Sequence, residues 1–491
     1  MKLFNAKKLS LLFLCLVPSI VLSVQMYNQY DPMVYHTIYG VNKTYKKQKS
    51  KFQVNLNLSP FYQHASGAKD GNGDKVPEGD IFGWWNLFGL FYGVTGTSPN
   101  KEIKAAPTSK PFTLDPVVGG DNPDIPDATT RSNYPNLSAA WRVLDNQSEG
   151  GATDYDVTNL VLDFTDPTNF NNTVQPLKTY MPKTYIKYEK FGVRGQIDFT
   201  FDFGLGLNVK GGLVDYKQVP NFQNRTGYAP SWPPEDSADD YVDKYLRRLD
   251  VMEDVLSEVG INIDQRQETT LEDTHAEIYL QFPFDVMNDN NELVVTLVPY
   301  LAGGVWIPTG KEKNQDAAFS LPTGNDGFWG VTVDGAINFA LPASIQFGFG
   351  VGLAYFFERD LDDYRIAAND SQQAIFPWKA KIKKDPGLLW NFNASLKALQ
   401  FLDNFSAYMD FIYLRHNRDE ITMREDDEDR NDYFLPSTNE ENSKWWATIF
   451  QGGVEYVFSK GLQIGIGFQA HLSGRRVYRT TTILGTMSFV F

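Results

Sequence analysis

The chain has 491 residues, with 45 Lys and Arg against 60 Asp and Glu, a formal net charge of −15, 14% aromatic residues and one cysteine. That acidic balance works against nucleic-acid binding, which needs cationic surface to neutralise phosphate, and a single thiol excludes an internal disulfide framework. No stretch beyond the first residues holds the roughly 18 consecutive apolar residues of a spanning helix. Membrane residence would therefore fall to closed β-structure, the other arrangement that pairs every backbone group in lipid.

Residues 1–23 read as a secretory signal peptide: Lys2, Lys7 and Lys8, then the apolar run "LSLLFLCLVPSIV", then small residues that place cleavage after Ser23. The run is shorter than the roughly 20 residues of a span. A lipoprotein signal at Cys15 is disfavoured by bulky Phe13 and Leu14 before it. Residues 24–491 are then one exported domain.

In chain order, "KFQVNLNLS" sets Phe52, Val54, Leu56 and Leu58 against Gln53, Asn55, Asn57 and Ser59, the period of a strand. Asp70, Asn72 and Asp74 are spaced like the start of a calcium loop. Lys75 stands where that loop needs glycine and no Glu holds the twelfth position, so a plain turn is expected. "FGWWNLFGLFYG" at 82–93 is apolar on both parities and suits an extra strand pair completed near 159–165. The rest of 94–186, rich in Pro, Asn, Asp and Thr, reads as a long insertion or a segment folded into a lumen. "FGVRGQIDFTFDF" alternates again. In the connection 217–273, residues 237–260 form the one clear helix, capped by Ser237, ended by Gly260 and striped by Val242, Tyr245, Leu249, Met252, Leu256 and Val259. It reads as a lid on neighbouring loops, or as a gate or partner-binding helix. The run 424–432 is a solvated acidic loop face.

Alternation predicts strands near 51–64, 190–203, 205–216, 274–285, 292–305, 328–340, 343–357, 388–401, 404–416, 444–458, 461–473 and 478–491. Short turns alternate with long connections at 217–273, 308–327, 358–387 and 417–443. The expectation is an all-β, transmembrane, antiparallel up-and-down barrel of twelve strands, or fourteen with the extra pair, and one helix in an outer loop. The last strand, "TTILGTMSFVF", alternates to an aromatic end. Ile483, Met487, Phe489 and Phe491 resemble the C-terminal assembly signal of bacterial outer-membrane β-barrels, although Thr486 stands at the usual glycine position. That resemblance implies a bacterial outer membrane, outer-membrane lipid and the barrel assembly machinery as partners. "VWIPTGKEKNQ" and "SLPTGNDGFWG" further resemble the Pro-Thr-Gly strand-to-loop pattern of the phenol-degradation outer-membrane proteins, relatives of the long-chain fatty-acid transporters. Ordinary turn chemistry gives the same tripeptide.

The polar parity is assigned to the lumen: Arg194, Asp198, Asp202, Lys210, Glu277, Asp334, Asn391, Lys397, Asp410, Glu455 and Gln463, with Asn55. Inward Gly348, Gly350, Gly352, Gly465 and Gly467 are expected to leave free volume. The function expected is passive passage of small solutes, hydrophobic compounds among them, with a cation preference set by the acidic excess. No cofactor, metal site or catalysis is expected. One alternative is a surface structural or adhesion protein anchored by its barrel. Another is an outer-membrane phospholipase built on His64 and Ser66, weakened because Gly67-Ala68 replaces the asparagine-glycine that family carries after its serine. His275 reads as a hydrogen-bonded interior residue.

Overall fold

Alternation along this chain is deep enough to build strands of 11 to 19 residues in the barrel wall, apart from an eight-residue strand at Thr274–Gln281. A computed structural model describes residues 52–83, 183–223, 253, 256–257, 259–342, 344–367, 376, 378–402, 404–424, 434–459 and 461–491. In chain order its elements are β1 (Phe52–Lys69), β2 (Lys75–Val76), β3 (Lys183–Phe201), β4 (Leu205–Gln223), β5 (Arg266–Leu271), β6 (Thr274–Gln281), β7 (Phe284–Met287), β8 (Leu293–Ile307), β9 (Gly330–Ala340), β10 (Ile345–Phe356), β11 (Arg359–Ile366), β12 (Trp378–Asp385), β13 (Leu389–Leu402), β14 (Phe405–His416), β15 (Glu420–Met423), helix α1 (Pro436–Ser443), β16 (Trp445–Ser459), β17 (Leu462–Arg475) and β18 (Val477–Val490).

Twelve of these pair antiparallel in one path, β18-β17-β16-β14-β13-β10-β9-β8-β6-β4-β3-β1, and β18 returns to β1 to close it. The seam sets Leu56 against Phe489, Leu58 against Met487 and Gln63 against Thr482. Its last rungs are Phe491 N–H to Val54 O at 2.9 Å and Val54 N–H to Phe491 O at 3.2 Å. No sheet edge is left in the wall, which is what a hydrocarbon environment requires. The fourteen-strand alternative falls away. Of the segments expected to supply the extra pair, 82–93 and 159–165, residues 84–93 and 159–165 lie outside the described residues.

The faces are sorted opposite to those of a soluble barrel. Along β10, Phe349, Val351, Leu353 and Tyr355 are exposed, whereas Gln346, Gly350, Gly352, Ala354 and Phe356 are buried. Phe191, Ile278, Leu301, Val333, Phe411 and Ile466 continue the exposed apolar surface around the wall. A soluble protein does not leave such a girdle in water, whereas a barrel in lipid needs it.

At one end β3 passes to β4, β9 to β10, β13 to β14 and β16 to β17 by short links, and β6 reaches β8 through β7. Long connections gather at the other end, where β11, β12 and β15 form a separate three-stranded sheet. One link at that end is short: β17 turns into β18 through Arg476, whose φ is 52°. β3 begins at Lys183 and β4 runs to Gln223, so both strands take residues that the sequence reading gave to connections. Of helix 237–260 only the end is described. It closes as expected on Gly260, φ +69°, with Ile261 N–H to Leu256 O at 2.8 Å and Gly260 N–H to Ser257 O at 2.9 Å, the paired bonds of a Schellman cap. The short polar helix α1 was not foreseen. Its one local signal is Pro436 in the first turn.

Closure makes a testable statement about register. Cysteines replacing Leu58 and Met487, directly opposed across the seam, should cross-link efficiently in assembled protein, because opposed residues bring their Cβ atoms within roughly 4.5–5.5 Å. The pair Leu58→Cys with Gly485→Cys, offset along β18, should not. Non-reducing electrophoresis reads the result.

Candidate functional site: a polar interior beneath a folded cap

Every second residue of a closed barrel points inward, so the wall presents rows of inward side chains that must satisfy one another. Arg194, Asp198, Lys210, Glu277, Asn391, Lys397 and Asp410 are all buried, and Asp334, Glu455 and Gln463 partly so. Asp202 departs from the expected set: the strand has ended at Phe201, and Asp202 is exposed in the turn. The alternation of "DFTFDF" runs one step past the last strand residue.

The interior groups form local networks. Asp198 accepts from the Tyr279 hydroxyl at 3.0 Å and from Asn55 at 3.3 Å, and Thr200 lies 2.8 Å from the same tyrosine oxygen. Glu277 accepts from the Tyr300 hydroxyl at 3.0 Å. Asn391 hydrogen-bonds Asp334 across Gly352. Glu455 accepts from Gln463, and Gln451 from Gln469 at 2.7 Å. His275 sits 3.0 Å from Thr332 and lies against Trp306 with the rings tilted at 41°, as an interior hydrogen-bonded histidine does.

Arg194 is held by a residue that parity could not supply. Its guanidinium makes a two-point contact with Glu272, 2.9 Å and 3.0 Å, and lies 3.8 Å over the Phe61 ring. Glu272 comes from the link between β5 and β6, which turns inward over Gly212; a Cβ there would stand 2.3 Å from the Glu272 carboxylate. The glycines expected to leave free volume are instead seats for neighbouring side chains. A Cβ at Gly348 would meet Asn338 at 2.1 Å, at Gly350 Asn393 at 2.8 Å, and at Gly352 Asp334 at 2.1 Å and Asn391 at 2.4 Å. At Gly465 it would meet Thr486 at 2.6 Å, and Gly453 and Gly467 both accommodate Tyr408.

Toward the cap the interior changes character. Trp306, Phe328, Ala354, Phe356, Leu389, Ile412, Leu414, Trp445, Ala447, Ile449 and Val477 form a buried apolar cluster drawn from six wall strands and the connection before β9. Their inward parity was legible. Their apolar character broke the assumed polar-in rule.

The cap is fixed to the barrel by charge and by backbone. Lys384 and Asp419, both fully buried, pair at 3.1 Å, and His416 lies 3.5 Å from Asp419. Arg365 reaches Asp316 at 2.9 Å and the carbonyl of Gly260 at 2.6 Å, while Lys379 reaches Asp316 at 2.8 Å. Burial opposes ionisation of Asp316, but the Lys379 hydrogen bond and the Arg365 charge outweigh it and hold the carboxyl below the ordinary aspartate value. The two Pro-Thr-Gly stretches meet at one residue. Asp273 accepts from Gly310 N–H at 2.8 Å and Asn325 N–H at 2.5 Å. Thr309 and Thr323 donate their hydroxyls to the carbonyls of Glu272 and Leu271. A Cβ at Gly324 would lie 2.1 Å from the Asp273 carboxyl carbon, so that glycine is needed for close approach.

Other expectations resolve plainly. Asp70 accepts from Asn72 and Asp74 N–H, each at 2.9 Å, the bonds of the turn expected there. His64 stacks on Tyr62, and the Ser66 hydroxyl donates to the Arg479 carbonyl at 3.2 Å. Beyond Arg424, which pairs with Asp360 at 2.9 Å, the acidic run lies outside the described residues.

No protein-family model matches the sequence, and no curated protein matches it. Among solved structures, an outer-membrane channel from Pseudomonas putida F1 is similar at 8% identity and a TM-score of 0.43, covering 91% of this chain and 98% of that one. The transport unit of the autotransporter AIDA-I from Escherichia coli shares 7% identity at a TM-score of 0.33, over 93% and 96%. A Pseudomonas aeruginosa FadL homologue shares 8% at 0.23, over 90% and 89%. Likeness at this level says nothing about cargo. Closure at twelve strands and an apolar exterior around a polar interior make the chain a bacterial outer-membrane β-barrel.

Two consequences for the cap can be measured. Replacing Asp273 by Ala leaves two amides without their acceptor, a cost of about 1–3 kcal/mol for a buried group. Limited proteolysis within 308–327 should accelerate while the barrel stays heat-resistant on gels. The second is a pH dependence. Because the folded pKa of Asp316 is lowered, its tether is fully present above the unfolded value of about 3.9 and is lost as pH falls through the folded one. Hydrogen exchange in β11 and β12, corrected for the intrinsic pH dependence of amide exchange, should be flat from neutral pH down to about 5 and rise below about 4. Asp316→Asn should remove that rise.

Proposed function

We propose that the barrel is a passive path for small solutes across the outer membrane, with a preference for cations. The observation that carries this reading is the excess of interior acid. Asp198, Glu277, Asp334, Asp410 and Glu455 share the interior with Arg194, Lys210 and Lys397, and the Arg194 charge is already matched by Glu272. Lys190 is a further buried cation on the same wall, and the balance remains acidic. In a narrow low-dielectric passage a fixed acid excess raises local cation concentration and repels anions. The apolar cluster beneath the cap lies above the polar zone, an arrangement suited to gating by dewetting and to accepting solutes with an apolar body.

A second reading draws on the filled glycine seats and the same apolar cluster. The barrel is then a sealed anchor, and the folded cap of β11, β12, β15 and α1 is the working surface.

Planar-bilayer recording separates the two. The path reading expects steady conductance, with reversal potentials under a salt gradient of the sign for cation preference. Asp334→Asn and Glu455→Gln should each lower that preference severalfold, and raising salt should lower it for all variants. An anion-selective pore would overturn the charge argument, and a silent barrel under all voltages would leave the anchor reading standing.

A further inference from the structure

Asp410 stands apart from the other interior acids. It lies midway along β14, directly opposite Ser395 on β13 and Gln451 on β16. It is 4% exposed, and neither carboxylate oxygen has a hydrogen-bond partner among the described residues. Neither neighbour donates a hydrogen bond to it. Gln451 accepts from Gln469, and Ser395 leans over Gly348, 3.2 Å from where a Cβ would stand. Two residues along β13 from Ser395, the Asn393 carbonyl oxygen is also buried without a partner among the described residues. The charged groups within electrostatic reach of Asp410 are Lys397 and Glu455. Lys397 is 6.0 Å from the Tyr408 ring centroid, and Glu455 is hydrogen-bonded by Gln463.

A carboxylate buried without a donor is among the most costly groups a protein can bury. Asp198 has Tyr279 and Asn55, Glu277 has Tyr300, Asp334 has Asn391 and Glu272 has Arg194. Asp410 alone in this set has two oxygens left over, with further oxygens on the strands to either side. The available ligands are neutral or singly charged oxygens: the Asp410 carboxylate and the oxygens of Ser395, Gln451 and Asn393. One negative charge with neutral oxygens matches a monovalent alkali cation. A divalent ion would call for more carboxylate, and a softer metal for nitrogen or sulfur.

We propose that Asp410 is the seat of a monovalent cation-binding site on the barrel's inner wall, completed by neighbouring side-chain oxygens and water, where a cation in transit pauses. The proposal deepens the solute-path reading. It rests on that reading for the ion's role and not for the ion's presence.

The test is anomalous diffraction from crystals of the full-length protein grown in thallium(I), a probe for potassium. The expected result is an anomalous peak at the Asp410 carboxylate in the wild type. That peak should be lost in Asp410→Asn and retained in Asp334→Asn, with both variants heat-resistant on gels as evidence of a folded barrel. Loss of at least tenfold in peak occupancy is the expected size. No peak at Asp410 in the wild type, or a peak that survives Asp410→Asn, overturns the proposal. In bilayers the same variant should cut cation-over-anion permeability severalfold. A wild-type protein that binds thallium at Asp410 but conducts nothing would sink the solute path and leave the site intact.

Discussion

Lipid contains no partner for a backbone amide, and the rest of this structure follows from that. Twelve strands must close so that no edge is left unpaired, and the seam between β1 and β18 is where that condition is met. Closure in turn creates an interior that water reaches only from its ends. Each residue whose parity points inward then has to find a partner from another strand. Exterior positions face a uniform solvent and need only be apolar, which Phe191, Ile278 and Val351 satisfy without specific neighbours.

This difference between the two faces explains what was legible in the sequence. The strands were readable because outward positions obey a single rule with a period of two, and the twelve expected segments correspond one for one to the twelve wall strands. The Gly260 helix end was readable because a left-handed residue after an apolar stripe has few alternatives. Strand ends were less clear. Asp202 continued the alternation past the last hydrogen-bonded residue, and β3 and β4 extend several residues beyond their apolar signal into the long connections. Interior contacts were legible only as a list of polar parities. Parity places Arg194 inside but cannot name Glu272, which arrives from a different connection 78 residues away. The same limit misled the reading of the glycines. A small residue in sequence implies space, but Tyr408 lying over Gly453 and Gly467 shows that a neighbouring strand can own that space.

The interior falls into two zones with different energetic logic. In the polar zone, buried charges such as Arg194 persist because they are matched: breaking the Arg194–Glu272 pair by removing one partner would strand a buried charge at a cost of about 3–5 kcal/mol, whereas an apolar replacement of both would cost far less. Such a zone is expensive to build if stability alone is at stake. In the apolar zone, Trp306, Phe356 and Trp445 pack like the core of a soluble domain, a cheaper way to fill the same cylinder. A barrel serving only as an anchor would be expected to extend that cheaper filling downward. That this one keeps a charged section below an apolar one, and leaves one acid there without a donor, favours a function located inside the wall over one confined to the cap.

The cap and the barrel are also coupled, because the residues that join them belong to both. Glu272 neutralises an interior arginine and Asp273, its neighbour, gathers the amides of two outer turns. Movement of the turns at Gly310 and Asn325 would therefore pull on the link that carries Glu272, and release of Glu272 would return a positive charge to the interior wall. Glu272 and Asp273 thus join the interior charge network to the outer turns across a single peptide bond. Both residues are buried, so the loss of either contact would leave a desolvated carboxylate without its partners, which is costly.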